Sequence, residues 1–240
     1  MNSRAKTGTS LLVAIMMSAC ATMHPIGFQN YNLESVETIL IATDLKDTPV
    51  VNFLGVTIFN NKHTHVTGFD FSISQYTLEQ SDSILKDRGF STLINDGPLS
   101  ETTLRNLRST QRSLREAAAN ALHSRGADAL FLIEQASAGT GLNFNHGFSL
   151  EEHGLFLVNT VAGRRDRVKV PIRITFYDLR NGNLIYREIF DADYDRNYLD
   201  EFTHINEAKD VTESDKKALI SYYVQKIDSF LEQALVSIKK

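Results

Sequence analysis

The chain has 240 residues, 42% of them hydrophobic, with 25 basic against 29 acidic residues and a formal net charge of −4. That is enough apolar material for one good-sized core, and the acidic balance lacks the basic footprint that nucleic-acid binding requires. A lone cysteine, Cys20, excludes a disulfide framework and multi-cysteine metal sites, so stability has to come from packing.

The first residues read as a targeting segment. Arg4 and Lys6 precede a brief apolar run at 11–17, which is followed by the small residues Ser18 and Ala19 and then Cys20. A bilayer-spanning helix needs about 20 apolar residues, so this run is a leader rather than a stable span. Met17-Ser18-Ala19-Cys20 resembles the lipobox of bacterial lipoproteins. The resemblance implies a signal peptide at 1–19, a diacylglycerol on the Cys20 thiol and a further acyl chain, such as palmitate, on the new amine. Each buried methylene contributes about 0.8 kcal/mol, and two or more chains hold where one does not. In that family a residue other than aspartate after the cysteine, here Ala21, implies the outer membrane, facing the periplasm. Ala19-Cys20-Ala21 also fits the A-x-A pattern of ordinary secretory cleavage, which would release a soluble periplasmic chain. Removing Arg4 and Lys6 leaves 23 basic against 29 acidic residues, so no polybasic patch assists the lipid.

Residues 20–36 contain Pro25, Gly27 and several Asn and Gln residues and read as a tether reaching about 25 Å. Phe28, Tyr31 and Leu33 are candidates to pack onto the domain and shorten it. A single domain is expected over 37–240. Its first strand is 37–45, closed by the turn Lys46-Asp47-Thr48-Pro49. The next, 50–61, is apolar on both faces and so expected to be central. A helix over 72–89, ended by Gly89, leads to a short strand at 90–94. The spacing then predicts a long amphipathic helix over 99–126. Leu104, Leu107, Gln111, Leu114, Ala118, Ala121 and Leu122 form its stripe, and Arg105, Arg108, Arg112 and Arg115 its opposite face. A buried strand at 127–136 completes a strand–helix–strand–helix–strand pattern of parallel crossovers.

Three strands within 153–192 read as an antiparallel meander. Asn181-Gly182 predicts a two-residue type I′ turn that pairs Tyr177 with Tyr186 and Ile174 with Ile189. Pro171 marks an edge or a bulge. The last element, 212–240, is a helix opened by a Thr212–Asp215 capping box, with Leu219, Tyr223, Ile227, Phe230 or Leu231, Ala234 and Ile238 on its buried face. The expected fold class is α/β: a three-layer mixed sheet with a parallel βαβαβ core, then an antiparallel meander and a C-terminal helix.

Taken with the lipobox, the helix–Gly126-Ala127-Asp128–strand segment at 121–134 and the hairpin at 176–188 resemble a loose class of bacterial envelope lipoproteins. That class includes the curli-secretion lipoprotein, activators of cell-wall synthases and the amino-terminal domain of the Tol translocation protein. The resemblance implies a compact three-layer α/β domain. It implies little about activity, because members of the class do different jobs.

Candidate chemistry is sparse. His63-x-His65 could place two imidazoles on one strand face, but no third or fourth ligand follows at a recognisable spacing, so both read as solvated turn histidines. Residues 137–153 are the longest irregular segment. Gly139-x-Gly141 within it is followed by no Gly-Lys-Ser/Thr and opens no helix, which argues against a phosphate loop. Leu142, Phe144, His146, Phe148 and Leu150 give it apolar anchors, so it is either an idle hairpin tip or a contact surface for an envelope protein. Glu151, Glu152, His153 and the run Asp191, Asp193, Asp195 read as solvated groups, without the glycine and glutamate of a calcium loop. Gly163-Arg164-Arg165-Asp166-Arg167 reads as a solvated basic turn.

No G-x-S-x-G or H-E-x-x-H pattern is present. The expected function is therefore a non-enzymatic binding or assembly factor of the cell envelope, with no metal and no cofactor beyond the lipid on Cys20. The alternatives are a periplasmic small-ligand binder with a pocket behind 137–153, and an envelope glycan enzyme using carboxylates or His63, His146 or His153.

Overall fold

Ile39, Leu40, Ile41 and Ala42 are apolar without alternation, and the strand they form is buried on both faces, as a parallel strand covered by helices must be. The computed structural model describes residues 33–55, 61–136, 152–160, 163–190, 202–236 and 238. Its strands are β1 (Thr38–Asp44), β2 (Val50–Leu54), β3 (Lys62–His65), β4 (Ser91–Ile94), β5 (Ala129–Gln135), β6 (Gly154–Thr160), β7 (Gly163–Lys169), β8 (Ile172–Asp178) and β9 (Asn183–Phe190). Its α-helices are α1 (Ile73–Asp87), α2 (Glu101–Leu107), α3 (Arg112–His123) and α4 (Glu213–Leu235). Cys20, the 1–19 signal peptide, Leu142, Phe144, His146, Phe148 and the Asp191–Asp193–Asp195 run lie outside the described residues.

The fold class is the α/β arrangement expected, but the strands divide between two mixed sheets. The first has the order β4-β1-β5-β8-β9 and the second β3-β2-β6-β7. β1 lies parallel to both β4 and β5, and β8 and β9 add antiparallel. The βαβαβ unit is thus β1-α1-β4-α2/α3-β5. The expected second strand is not part of it: after the 46–49 turn, β2 pairs with β3 and with β6 instead.

The meander divides in the same way. Proline has no amide hydrogen to give to a ladder. At Pro171 the chain leaves β7 in one sheet and enters β8 in the other, with buried Val170 and Ile172 on either side. The Pro171 carbonyl accepts the Ala136 amide beyond the end of β5.

The first sheet has a different cover on each face. Leu40, Ala42, Leu130, Leu132 and Tyr177 pack against α2 and α3. Ile39, Ile41, Phe131, Ile133 and Phe176 pack against α1, α4 and the inner face of the second sheet. Leu33 and Val36 are buried in the cluster on that face, so the expected packing of Leu33 onto the domain is present.

The Gly126-Ala127-Asp128 segment has a direct physical account. Gly126, at φ +92°, ends the α3 turn, Ala127 is fully buried, and the Asp128 carboxylate accepts the amides of Glu37 and Thr38 at the start of β1.

Two local expectations are corrected. The helix over 99–126 breaks into α2 and α3. Ser109 Oγ accepts the Gln111 amide, and Arg115 Nη1 donates to the carbonyls of Ser109 and Thr110. Short hydroxyl side chains that bond nearby backbone compete with helix continuation. Gln111, Leu114 and Ala121 of the expected stripe are consequently exposed, while Leu104, Leu107, Ala118 and Leu122 are buried.

The hairpin after β8 has a four-residue connection rather than a two-residue turn. Asp178 pairs with Asn183, and after a bulge Phe176 pairs with Tyr186 and Ile174 with Glu188. The buried Asp178 carboxylate organises this loop, accepting from the Arg180 amide and guanidinium and from Asn181 Nδ2. The capping box of α4 and its buried stripe are as expected.

Candidate functional site

Two places in the described structure concentrate polar chemistry. The first lies at one end of the second sheet. β3 carries His63 and His65, and residues two apart in a strand share a face. Their rings meet edge to face with centroids 5.4 Å apart. β2 runs between β3 and β6, and Asn52 stands directly opposite His63. Asn52 is a lone polar residue in an apolar strand and is fully buried. Its Oδ1 lies 2.6 Å from His63 Nδ1. An amide oxygen only accepts, so in this contact Nδ1 is the donor. Nε2 in turn lies 3.2 Å from Glu152 Oε2.

Glu152 reaches this position because β6 enters the sheet beside β2, with Gly154 against Val50. Glu152 is only 6% exposed. Its Oε1 accepts from Lys46 Nζ at 3.0 Å, whereas Oε2 has no well-aligned hydrogen bond among the described residues. Oxygen and nitrogen atoms of His63, His65 and Glu152 lie within 4.8 Å of one another, a donor set that could hold a metal ion.

His153, next along, points into the core against Tyr223, with ring centroids 5.3 Å apart. Burial pushes its pKa down to about 4, although the carboxylates of Asp47 and Glu152 pull the other way, and the ring is neutral at pH 7.

The histidines are therefore exposed as expected but lie on a strand rather than in a turn, and Glu152 and His153 are buried rather than solvated. Sequence spacing does not reveal Glu152 as the third member, because it is far from His63 in the chain. The available signals were a polar Asn52 inside an apolar strand and a charged pair immediately before one.

The second place is at the carboxyl ends of the parallel strands. β4 and β5 flank β1, with α1 on one face and α2/α3 on the other, so the winding reverses at β1 and opens a crevice there. It has a volume of about 600 Å³ and is lined by Asp44, Leu99, Glu101, Leu104, Arg105 and Arg108. Arg108 also reaches the carboxylate of Glu134, buried at the end of β5.

The basic turn at 163–167 is not an idle solvated patch. Arg164 donates to Asp166 and to the carbonyls of Phe202, Thr203 and Ile205, fastening that segment to β7. Arg112 is paired with Glu116 along α3, and Arg115 caps the end of α2, so the expected arginine face is split by function. No helix among the described residues is long and apolar enough to cross a membrane.

No family model matches the chain, and no curated protein matches it. Solved structures to which the chain is similar include lipoprotein GNA1162 from Neisseria meningitidis, at 14% identity and TM-score 0.33, covering 80% of this chain and 99% of that one. Protein XCC0632 from Xanthomonas campestris has 6% identity and TM-score 0.42, covering 84% of this chain and 83% of that one. The hypothetical protein CT253 from Chlamydia trachomatis has 10% identity and TM-score 0.35, covering 81% and 99%. At such identities the function has to be argued from this chain's own residues.

Proposed function

We propose that this chain is a lipid-anchored protein of the bacterial cell envelope, held at the outer membrane through Cys20 and facing the periplasm, where it binds or helps assemble other envelope components without catalysis. The observation that carries the reading is the leader itself: Arg4 and Lys6, a short apolar run, and Met17-Ser18-Ala19-Cys20. A binding role is supported by the edge of the first sheet, unpaired among the described residues, where β4 exposes Leu93 on one face and Ile94 on the other. Unpaired sheet edges with apolar side chains are templates for a partner strand. The segment with Leu142, Phe144, His146 and Phe148 is the second contact surface in this reading.

The small-ligand alternative is supported by the crevice at the winding reversal, which is lined by both acidic and basic side chains, Asp44 and Glu101 with Arg105 and Arg108.

Fractionation of cells carrying Cys20→Ala tests the anchor, with the variant expected to leave the membrane fraction or fail to mature. Unchanged membrane association would overturn it. Photo-crosslinkers at Ile94 and at Phe144 test the partner, and capture of no envelope protein at either position would favour the small-ligand alternative.

A further inference from the structure

We propose that His63, His65 and Glu152 form a binding site for one divalent cation of the zinc class. His63 Nδ1 meets Asn52 Oδ1 at 2.6 Å, and its Nε2 stands 3.2 Å from Glu152 Oε2.

Three features favour the metal. Nitrogen and oxygen ligands of tetrahedral zinc sit about 2.0–2.2 Å from the ion and hence roughly 3.3 Å from each other, which is the separation already set between Nε2 and Oε2. The third ligand atom, from the exposed His65, lies within 4.8 Å of the other two. His63 and Glu152 are also each oriented through the atom other than the one facing the cluster. Asn52 holds the far nitrogen of His63, and Lys46 holds the far oxygen of Glu152. Such supporting bonds fix the tautomer and the carboxylate geometry in metal sites.

Glu152 and Asn52 are buried, so this is not a chance gathering of surface acids. The two imidazoles and one carboxylate suit a borderline d-block ion better than calcium or magnesium, which prefer all-oxygen shells. Three protein ligands leave a fourth position open to water or to a partner's side chain.

The test uses full-length protein purified in detergent and stripped with chelator. Isothermal titration with zinc chloride should show one equivalent bound per chain, and cobalt chloride should give the intense visible bands of a four-coordinate ion. His65→Ala removes an exposed side chain, and Glu152→Gln keeps the shape and the Lys46 contact. Each should weaken zinc at least tenfold and abolish the cobalt bands while leaving the far-ultraviolet circular dichroism spectrum unchanged. Absence of zinc binding at micromolar concentration would overturn the proposal, and so would binding that persists in both variants. Cys20→Ala should bind zinc like the wild type, so failure of the site and failure of the anchor are separate results.

Discussion

A β-carbon placed on Gly154 would lie 1.9 Å from the carbonyl oxygen of Val50. β6 approaches β2 so closely at this point that only hydrogen fits, and Gly154 takes φ +148°, a backbone region that other residues avoid. Glu152 and His153 are carried in by that approach, since the Val50 amide donates to the His153 carbonyl at 3.0 Å.

Gly154→Ala should therefore cost about 3 kcal/mol or more of stability, combining overlap with backbone strain. Urea denaturation measures it. A loss below about 1 kcal/mol would show that the two strands can part without consequence.

Gly182 is constrained twice. It has φ +70°, and an added β-carbon would meet the Arg115 and Glu116 backbone at 3.1–3.2 Å. Gly182→Val should cost about 2 kcal/mol, and Asn183→Ala less than about 0.5 kcal/mol. Comparable melting curves for Gly182→Val and wild type would count against the four-residue connection described for this hairpin.

Arg108 and Glu134 make an unequal pair, with side-chain exposures of 42% and 3%. Removing the arginine strands a buried carboxylate. Arg108→Leu should cost about 2 kcal/mol, less than for a fully buried pair because solvent reaches the guanidinium. Glu134→Leu in the same chain should recover part of that loss. Additive losses in the double variant would show that the two groups do not interact.

The start of α4 contributes to the pH dependence of stability. Burial tends to raise the Asp215 carboxyl, but bonds from the Thr212 hydroxyl and amide, with His204 beside them, hold it below the usual carboxylate range. Because the folded pKa is depressed, this stabilisation is complete above the unfolded value near pH 4 and is lost as pH falls through the folded one. Asp215→Ala should cost about 1 kcal/mol at pH 7 and should flatten the stability profile below pH 4. Identical acid profiles for variant and wild type would refute this.

The local rules that sequence carries were enough for α1, α4, β1 and β5, where periodicity and caps agree. They failed where the deciding contact was distant or the competing bond was small. Nothing in 50–61 announces that β2 joins a different sheet from β1, because both strands are apolar on both faces. The break between α2 and α3 depends on Ser109 and Arg115 bonding backbone across a turn, a local cue weaker than the stripe that runs over it. The metal-type cluster needed Glu152 to be brought to β3 from a distant part of the chain, and only the sheet order does that. The proposed contact residues Leu142, Phe144, His146 and Phe148 were legible as apolar anchors and no further.

The order of strands also sets a schedule. β1 finds β5, and β2 finds β6, only after long stretches of intervening chain, so neither sheet can be assembled from a nascent amino-terminal half. High contact order slows folding, because the entropy of closing long loops must be overcome before the pairing rewards it. For a chain exported as a thread, the route proposed here, such lateness is useful: an unfinished sheet offers a translocation channel little to resist.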